Sequence, residues 1–125
     1  MIILNYIEEP NSNMQIYLEN LHGYDLSNMN LHRIRFEELH SKRASFCNAN
    51  FRSATFEKSS FTQCDFSSSK FIAVYAKEVV FKNCIFKGTE FISSEFENCQ
   101  WIDCIFKDLT IHNLNFINCS PDSFY

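Results

Sequence analysis

Six cysteines and four histidines are the side chains of this chain whose types suit nucleophilic, redox or metal chemistry. Cys64, Cys84 and Cys104 recur at intervals of twenty residues, and Cys99 and Cys119 repeat that interval. Thiols in such number suggest a zinc centre or a dithiol couple. Zinc asks for ligands that converge tetrahedrally, however, and a redox pair favours Cys-x-x-Cys spacing, which no pair here has. Cys47 falls outside both series and is the one candidate nucleophile, provided a base lies beside it. His32 and His112 differ by eighty residues, while His22 and His40 share no spacing with them. The charged residues, 15 acidic against 11 basic, leave a net charge of −4 and disfavour a surface built to neutralise nucleic-acid phosphates.

What these groups can do depends on where the chain puts them, and the aromatic residues set that placement. From Phe46 to Phe71 a phenylalanine occurs every five residues, and the beat continues through Phe81, Phe86, Phe91, Phe96, Trp101, Phe106, Ile111 and Phe116. Ala76 is the one small substitute, and of the 14 phenylalanines only Phe124 is out of phase. Neither regular element can use this spacing. On a helix five residues advance about 500°, so the rings would spiral around the rod. On a strand an odd spacing throws alternate rings to opposite faces. All of them can be buried only if the backbone turns a corner every five residues and the resulting coils stack, which is the signature of a solenoid.

A second position supports this. Two residues before each ring, from Ala44 to Cys104, stand only small or β-branched side chains: Ala49, Ala54, Ser59, Cys64, Ser69, Val74, Val79, Cys84, Thr89, Ser94 and Cys99 among them. A narrow tube with a ring at one inward position has room for little at the other. Units such as Ala49-Asn50-Phe51, Cys64-Asp65-Phe66 and Ser94-Glu95-Phe96 resemble the pentapeptide-repeat family, whose motif is a small residue, Asp or Asn, Leu or Phe, then two variable positions. The resemblance covers roughly residues 24–119. It implies an all-β fold, a right-handed quadrilateral β-helix of about five coils with four pentapeptides to a coil.

A chain of 125 residues supports one domain. Residues 1–23 are expected to form an N-terminal cap and the first irregular repeats, 24–119 the repeat body, and 120–125 a C-terminal tail. Tyr24, Met29, Ile34 and Leu39 make the inward partner position large in the first coil, and Ser41, which replaces a ring, predicts a local irregularity over 40–43. Ala76, flanked by Val74 and Val79, predicts a void unless neighbours fill it, and Tyr75, pointing either in or out, is one source of that bulk. Pro121 stops the ladder because it cannot donate a rung hydrogen bond. The open end beyond it is covered either by the tail or by a second subunit, which leaves a monomer or a homodimer through the C-terminal coil end. The apolar run Ile2–Ile7 has neither a basic start nor a cleavage site, so no secretory or membrane segment is expected, and reduced inward cysteines indicate a cytoplasmic protein.

With four repeats to a coil, residues twenty apart stack, and each side of the coil becomes a surface. The two cysteine series become inward columns that pack as small hydrophobes. His32 and His112 share a column but lie roughly 19 Å apart, too far to share a metal or a proton. Neither an enzyme, a cofactor nor a metal is expected. Two surfaces remain as partner-binding candidates. One carries Glu37, Glu38, Glu57, Glu78, Glu95 and Glu97 against Arg35, Lys58 and Lys77, with Glu37 above Glu57 as a like-charge pair that costs stability. The other carries Ile72 and Ile92 in one outward column. The phenylalanine- and cysteine-rich units are similar to those of the Qnr-like quinolone-resistance members of the family. That likeness implies a DNA mimic that binds a type II topoisomerase (DNA gyrase), or another DNA-binding protein, without touching nucleic acid itself. The alternative is a scaffold or effector domain that binds a different protein through a flat β face.

Overall fold

A residue that begins a new side of the coil must redirect the chain without a long loop. In the computed structural model, which describes residues 15–16 and 21–119, this is done by one position. Two residues after every ring the backbone takes a positive φ, from Gly23 and Asn28 through to Asn118. Eighteen of these corners are not glycine, and their φ values run from 48° to 64°. Asn and Asp tolerate this conformation, as at Asn48, Asn83 and Asp103, but Arg33, Glu78 and Ala73 hold it at a cost of about 1 kcal/mol each. No β-branched residue occupies any corner. The corner amides from Gly23 to Asn98 are used: Glu38 N donates to Glu57 O at 3.0 Å and Glu78 N to Glu97 O at 2.9 Å.

Between corners lie short parallel strands whose neighbours are twenty residues away. Gln15–Ile16, Arg35–Glu37, Thr55–Glu57, Tyr75–Lys77, Glu95–Glu97 and Asn115–Ile117 form a six-stranded sheet. Three further sides complete the square. One stacks His40–Lys42, Ser60–Thr62, Val80–Lys82 and Gln100–Ile102, and one stacks Lys70–Ile72, Glu90–Ile92 and Thr110–His112. The last pairs Ile85–Lys87 with Ile105–Lys107 and continues downward through the bridges Asp25–Ser45, Ser45–Asp65 and Asp65–Ile85. The result is a four-sided parallel β-solenoid. Residues 21–119 give four complete twenty-residue turns, to residue 100, and most of a fifth.

The interior is the stack of rings. Phe46, Phe66 and Phe86 lie nearly parallel, their centroids 5.0 and 5.1 Å apart, while rings from adjacent sides meet edge to face, as Phe61 and Phe66 do at 5.5 Å and 78°. Both arrangements suit the aromatic quadrupole. Beside the rings the small inward residues are also polar in a useful way. Cys84 Sγ donates to Phe61 O at 3.2 Å, Thr89 Oγ1 to Phe66 O at 2.8 Å and Ser94 Oγ to Phe71 O at 2.8 Å. A thiol or hydroxyl at this site adds a donor to a carbonyl inside the tube.

Three expectations change. Ser41 produces no irregularity: its strand pairs in register with Ser60–Thr62, and its buried hydroxyl donates to Leu21 O at 3.0 Å. A ring is exchanged there for a hydrogen bond within an unaltered backbone. Tyr24 is exposed rather than inward, whereas Ile34 and Leu39 are buried as expected. Tyr75 does not fill the space at Ala76. It lies on the outside with its hydroxyl donating to Glu97 Oε2 at 2.8 Å, and Ala76 is fully buried between the larger inward residues Val74 and Val79, themselves buried. The N-terminal cap over residues 1–14 and 17–20 and the tail over 120–125 lie outside the described residues.

Candidate functional site

The sulfur and imidazole groups do not assemble into a centre. Cys64, Cys84 and Cys99 are buried, Cys104 and Cys119 half-buried, and all six thiols are free. The Cys104 and Cys64 sulfurs on either side, together with burial, push the Cys84 thiol up, and burial pushes the Cys99 thiol up to about 12. Burial also raises the Cys47 thiol, which sits among Ser45, Ser67 and Asp65 with no histidine beside it. Such thiols are weak nucleophiles. His22 and His40 are exposed on one side of the coil, each tied to the turn above: Lys42 N donates to His22 Nδ1 at 3.1 Å, and His40 Nδ1 lies 2.7 Å from Ser60 Oγ. Among the described residues no three His, Cys, Asp or Glu side chains are placed to hold one metal ion.

The acidic candidates are brought to one side of the solenoid, as their spacing implied. The six-stranded sheet aligns Glu37, Glu57, Lys77 and Glu97 in a single register column. Glu38, Lys58 and Glu78 occupy successive corners beside it and are all exposed. The structure adds how the charges meet. Arg35 Nη2 lies 3.2 Å from Glu57 Oε1 and its Nε 3.9 Å from Glu37 Oε2, so one guanidinium bridges the like-charge pair. Lys77 Nζ is 3.8 Å from Glu97 Oε2, and Asn115 Nδ2 donates to Glu95 Oε1 at 3.0 Å. Four of the six carboxylates are therefore engaged within the sheet. Glu38 and Glu78 extend outward at the edge.

The apolar candidates also meet. Ile72 and Ile92 are register neighbours, half-buried, with His112 next above them. Their strands are held by the stacked Phe71 and Phe91 rings at 5.1 Å behind them. Ile102 and Ile117 are exposed at 38% and 40%, on two other sides. Ile105, the most exposed large apolar residue among those described at 57%, was not among the expected residues. Its spacing of twenty from Ile85, its register partner, was the signal available in the sequence.

A second feature was missed. Below Ile72, on the same side, Asn30, His32, Arg33, Asn50, Arg52 and Ser53 line an open depression of about 300 Å³. His32 and Arg52 are twenty residues apart and so stack, and Arg33 is the corner beside them, its N donating to Arg52 O at 2.8 Å. In the column that His32 shares with His112, the residue next above His32 is thus Arg52.

A four-sided solenoid with an aromatic interior and positive-φ corners defines the class of protein. The family model for pentapeptide repeats matches residues 30–67 with eight copies. Among solved structures it is similar to the pentapeptide-repeat protein Rfr23 of the cyanobacterium Cyanothece 51142, with a TM-score of 0.62 at 8% identity over 86% of this chain and 87% of that one. A pentapeptide-repeat protein of the Arabidopsis thaliana thylakoid lumen matches with a TM-score of 0.43 at 23% identity, covering 68% and 60% of the two chains. QnrB1, a plasmid-mediated fluoroquinolone resistance protein, matches with a TM-score of 0.37 at 12% identity over 85% and 72%. No curated protein matches the sequence.

Proposed function

We propose that this chain is a non-enzymatic protein-interaction module that receives a partner on a flat β face. The observation that supports it is the ladder of Ile72 and Ile92, two half-buried apolar side chains in register on a side whose other outward strand residues, Lys70, Glu90, Thr110 and His112, are polar or charged. Such a pair gains about 25 cal/mol per Å² only when something covers it. The partner is accordingly a protein with an apolar strip of matching length, in a reducing compartment such as the cytoplasm where the inward thiols stay free. Affinity capture from the native host, read by mass spectrometry, tests this with variants. The partner is lost from the Ile72→Glu/Ile92→Glu protein and kept by the Glu37→Lys/Glu57→Lys protein. Retention by the isoleucine variant at an unchanged melting temperature contradicts the proposal.

A second reading is supported by a different observation, the in-register Glu37 and Glu57 with exposed Glu38 and Glu78 along the adjoining edge. In it the acidic side imitates the phosphates of duplex DNA and engages a type II topoisomerase such as DNA gyrase, or another DNA-binding protein, as a bacterial quinolone-resistance factor does. Purified protein then changes gyrase supercoiling or relieves its inhibition by a fluoroquinolone, and the effect weakens with salt and with the two Glu→Lys changes. Absence of any effect at micromolar protein rules this reading out.

A further inference from the structure

The depression lined by His32, Arg33 and Arg52 is chemically unlike the rest of this acidic protein. Arg33 and Arg52 are both exposed and make no ion pair among the described residues, whereas Arg35, two positions on, is held between two glutamates. Glu90 is the one carboxylate among the described residues of this side, and its register neighbour is Lys70, a further cation. The two guanidinium groups, on adjacent turns, are like charges close to one another.

The polar floor is arranged to leave donors outward. Asn30 Oδ1 accepts from Asn50 Nδ2 at 3.3 Å and from the His32 backbone at 3.4 Å, and it lies 2.9 Å from His32 Nδ1. Asn50 Oδ1 accepts from Arg52 N at 3.1 Å. The two amide oxygens, the acceptors that would repel an anion, are thus occupied by the protein itself. Among the described residues neither guanidinium fork has such a partner.

We propose that this depression binds a phosphate-type dianion, free or carried on an ester. A phosphate monoester bears about −1.5 to −2 charge at pH 7 and three acceptor oxygens, enough to engage two planar guanidinium forks at once. A monocarboxylate has two oxygens and one charge and satisfies one fork. The site stands independently of the isoleucine ladder and does not require that a protein partner exist.

The test follows the Arg33 and Arg52 Nε–H resonances of isotopically labelled protein by NMR during titration with inorganic phosphate, with acetate at matched ionic strength as control. Phosphate produces saturable shifts at both side chains, and acetate does not saturate the two together. Arg33→Gln and Arg52→Gln each weaken phosphate binding by about tenfold, as loss of one charge-assisted contact does, and the double variant abolishes saturation while melting at the same temperature. A phosphoserine peptide that binds more tightly than inorganic phosphate, with its unphosphorylated form silent, assigns the ligand to a phosphorylated side chain. Equal affinity assigns it to the free anion or a small ester. Identical responses to phosphate and acetate, or saturable binding by the double variant, overturn the proposal.

Discussion

At the scale of single residues the fold turns on what a corner tolerates. Every fifth residue has a positive φ, yet only Gly23 and Gly88 are glycine, so the packing of the rings holds eighteen other side chains in a left-handed conformation. A Cβ at Gly88 would lie 3.4 Å from Ser68 Oγ, an ordinary contact, so the cost of Gly88→Ala is conformational. Chemical denaturation should show a loss of about 1 kcal/mol, and Ala73→Gly, at a corner with φ of 55°, a gain of about 0.5 kcal/mol. Tyr75 provides a pH-dependent case. Its hydrogen bond to Glu97, with burial and the neighbouring carboxylates, pushes the phenol up to about 12. The folded state therefore keeps a proton that the unfolded state releases near pH 10, and stability is full below that pH and falls as pH rises through 12. A spectrophotometric titration should show one phenol ionising late, and Tyr75→Phe should remove that phase together with the alkaline loss of stability it causes. The sequence showed that corners existed through the beat of five, but not their φ, because Arg33, Glu38 and Lys58 are residues that no local preference places there.

At the scale of the strand and its neighbours, charge and hydrogen bonding are decided between turns. Which residues stack was legible, since Glu37, Glu57, Lys77 and Glu97 differ by twenty. Which side chains reach one another was not. Arg35 stands at the opposite end of its strand from Glu37, and its bridging role depends on the reach of its side chain to 3.2 Å from Glu57 on the next turn. Because Arg35 is 44% exposed at its side chain, solvent screening limits the pair. Arg35→Gln is expected to cost about 0.5 kcal/mol at low salt and nearly nothing at high salt, read from urea melts at the two ionic strengths. A loss independent of salt would mean that Arg35 acts through packing of its stem instead. The His32–Arg33–Arg52 depression escaped the sequence for a related reason. Spacing by twenty relates residues within one column, such as His32 and Arg52, whereas the depression joins that column to the neighbouring corner at Arg33.

Across the whole molecule, the phenylalanines are scaffold and the outer columns carry the residues proposed for recognition. Turns contact only their neighbours, so a substitution should cost according to its place in the stack. Phe66 has parallel rings above and below and is fully buried, and Phe66→Ala is expected to cost about 3–5 kcal/mol. Phe116, half-buried in the last described turn, should cost clearly less, and thermal melts of the two variants compare them directly. Every placement made on the surface, the acidic side, the isoleucine ladder and the basic depression alike, depends on residues twenty apart lying side by side. The direct measurement is a set of interstrand NOEs in solution. The account predicts contacts linking Glu37 to Glu57, Ile72 to Ile92, and Phe46 to Phe66 and Phe66 to Phe86, with none that pair strands at another interval. A consistent set of interstrand contacts at eighteen or twenty-two residues, or contacts that place the phenylalanine rings in solvent, would contradict it.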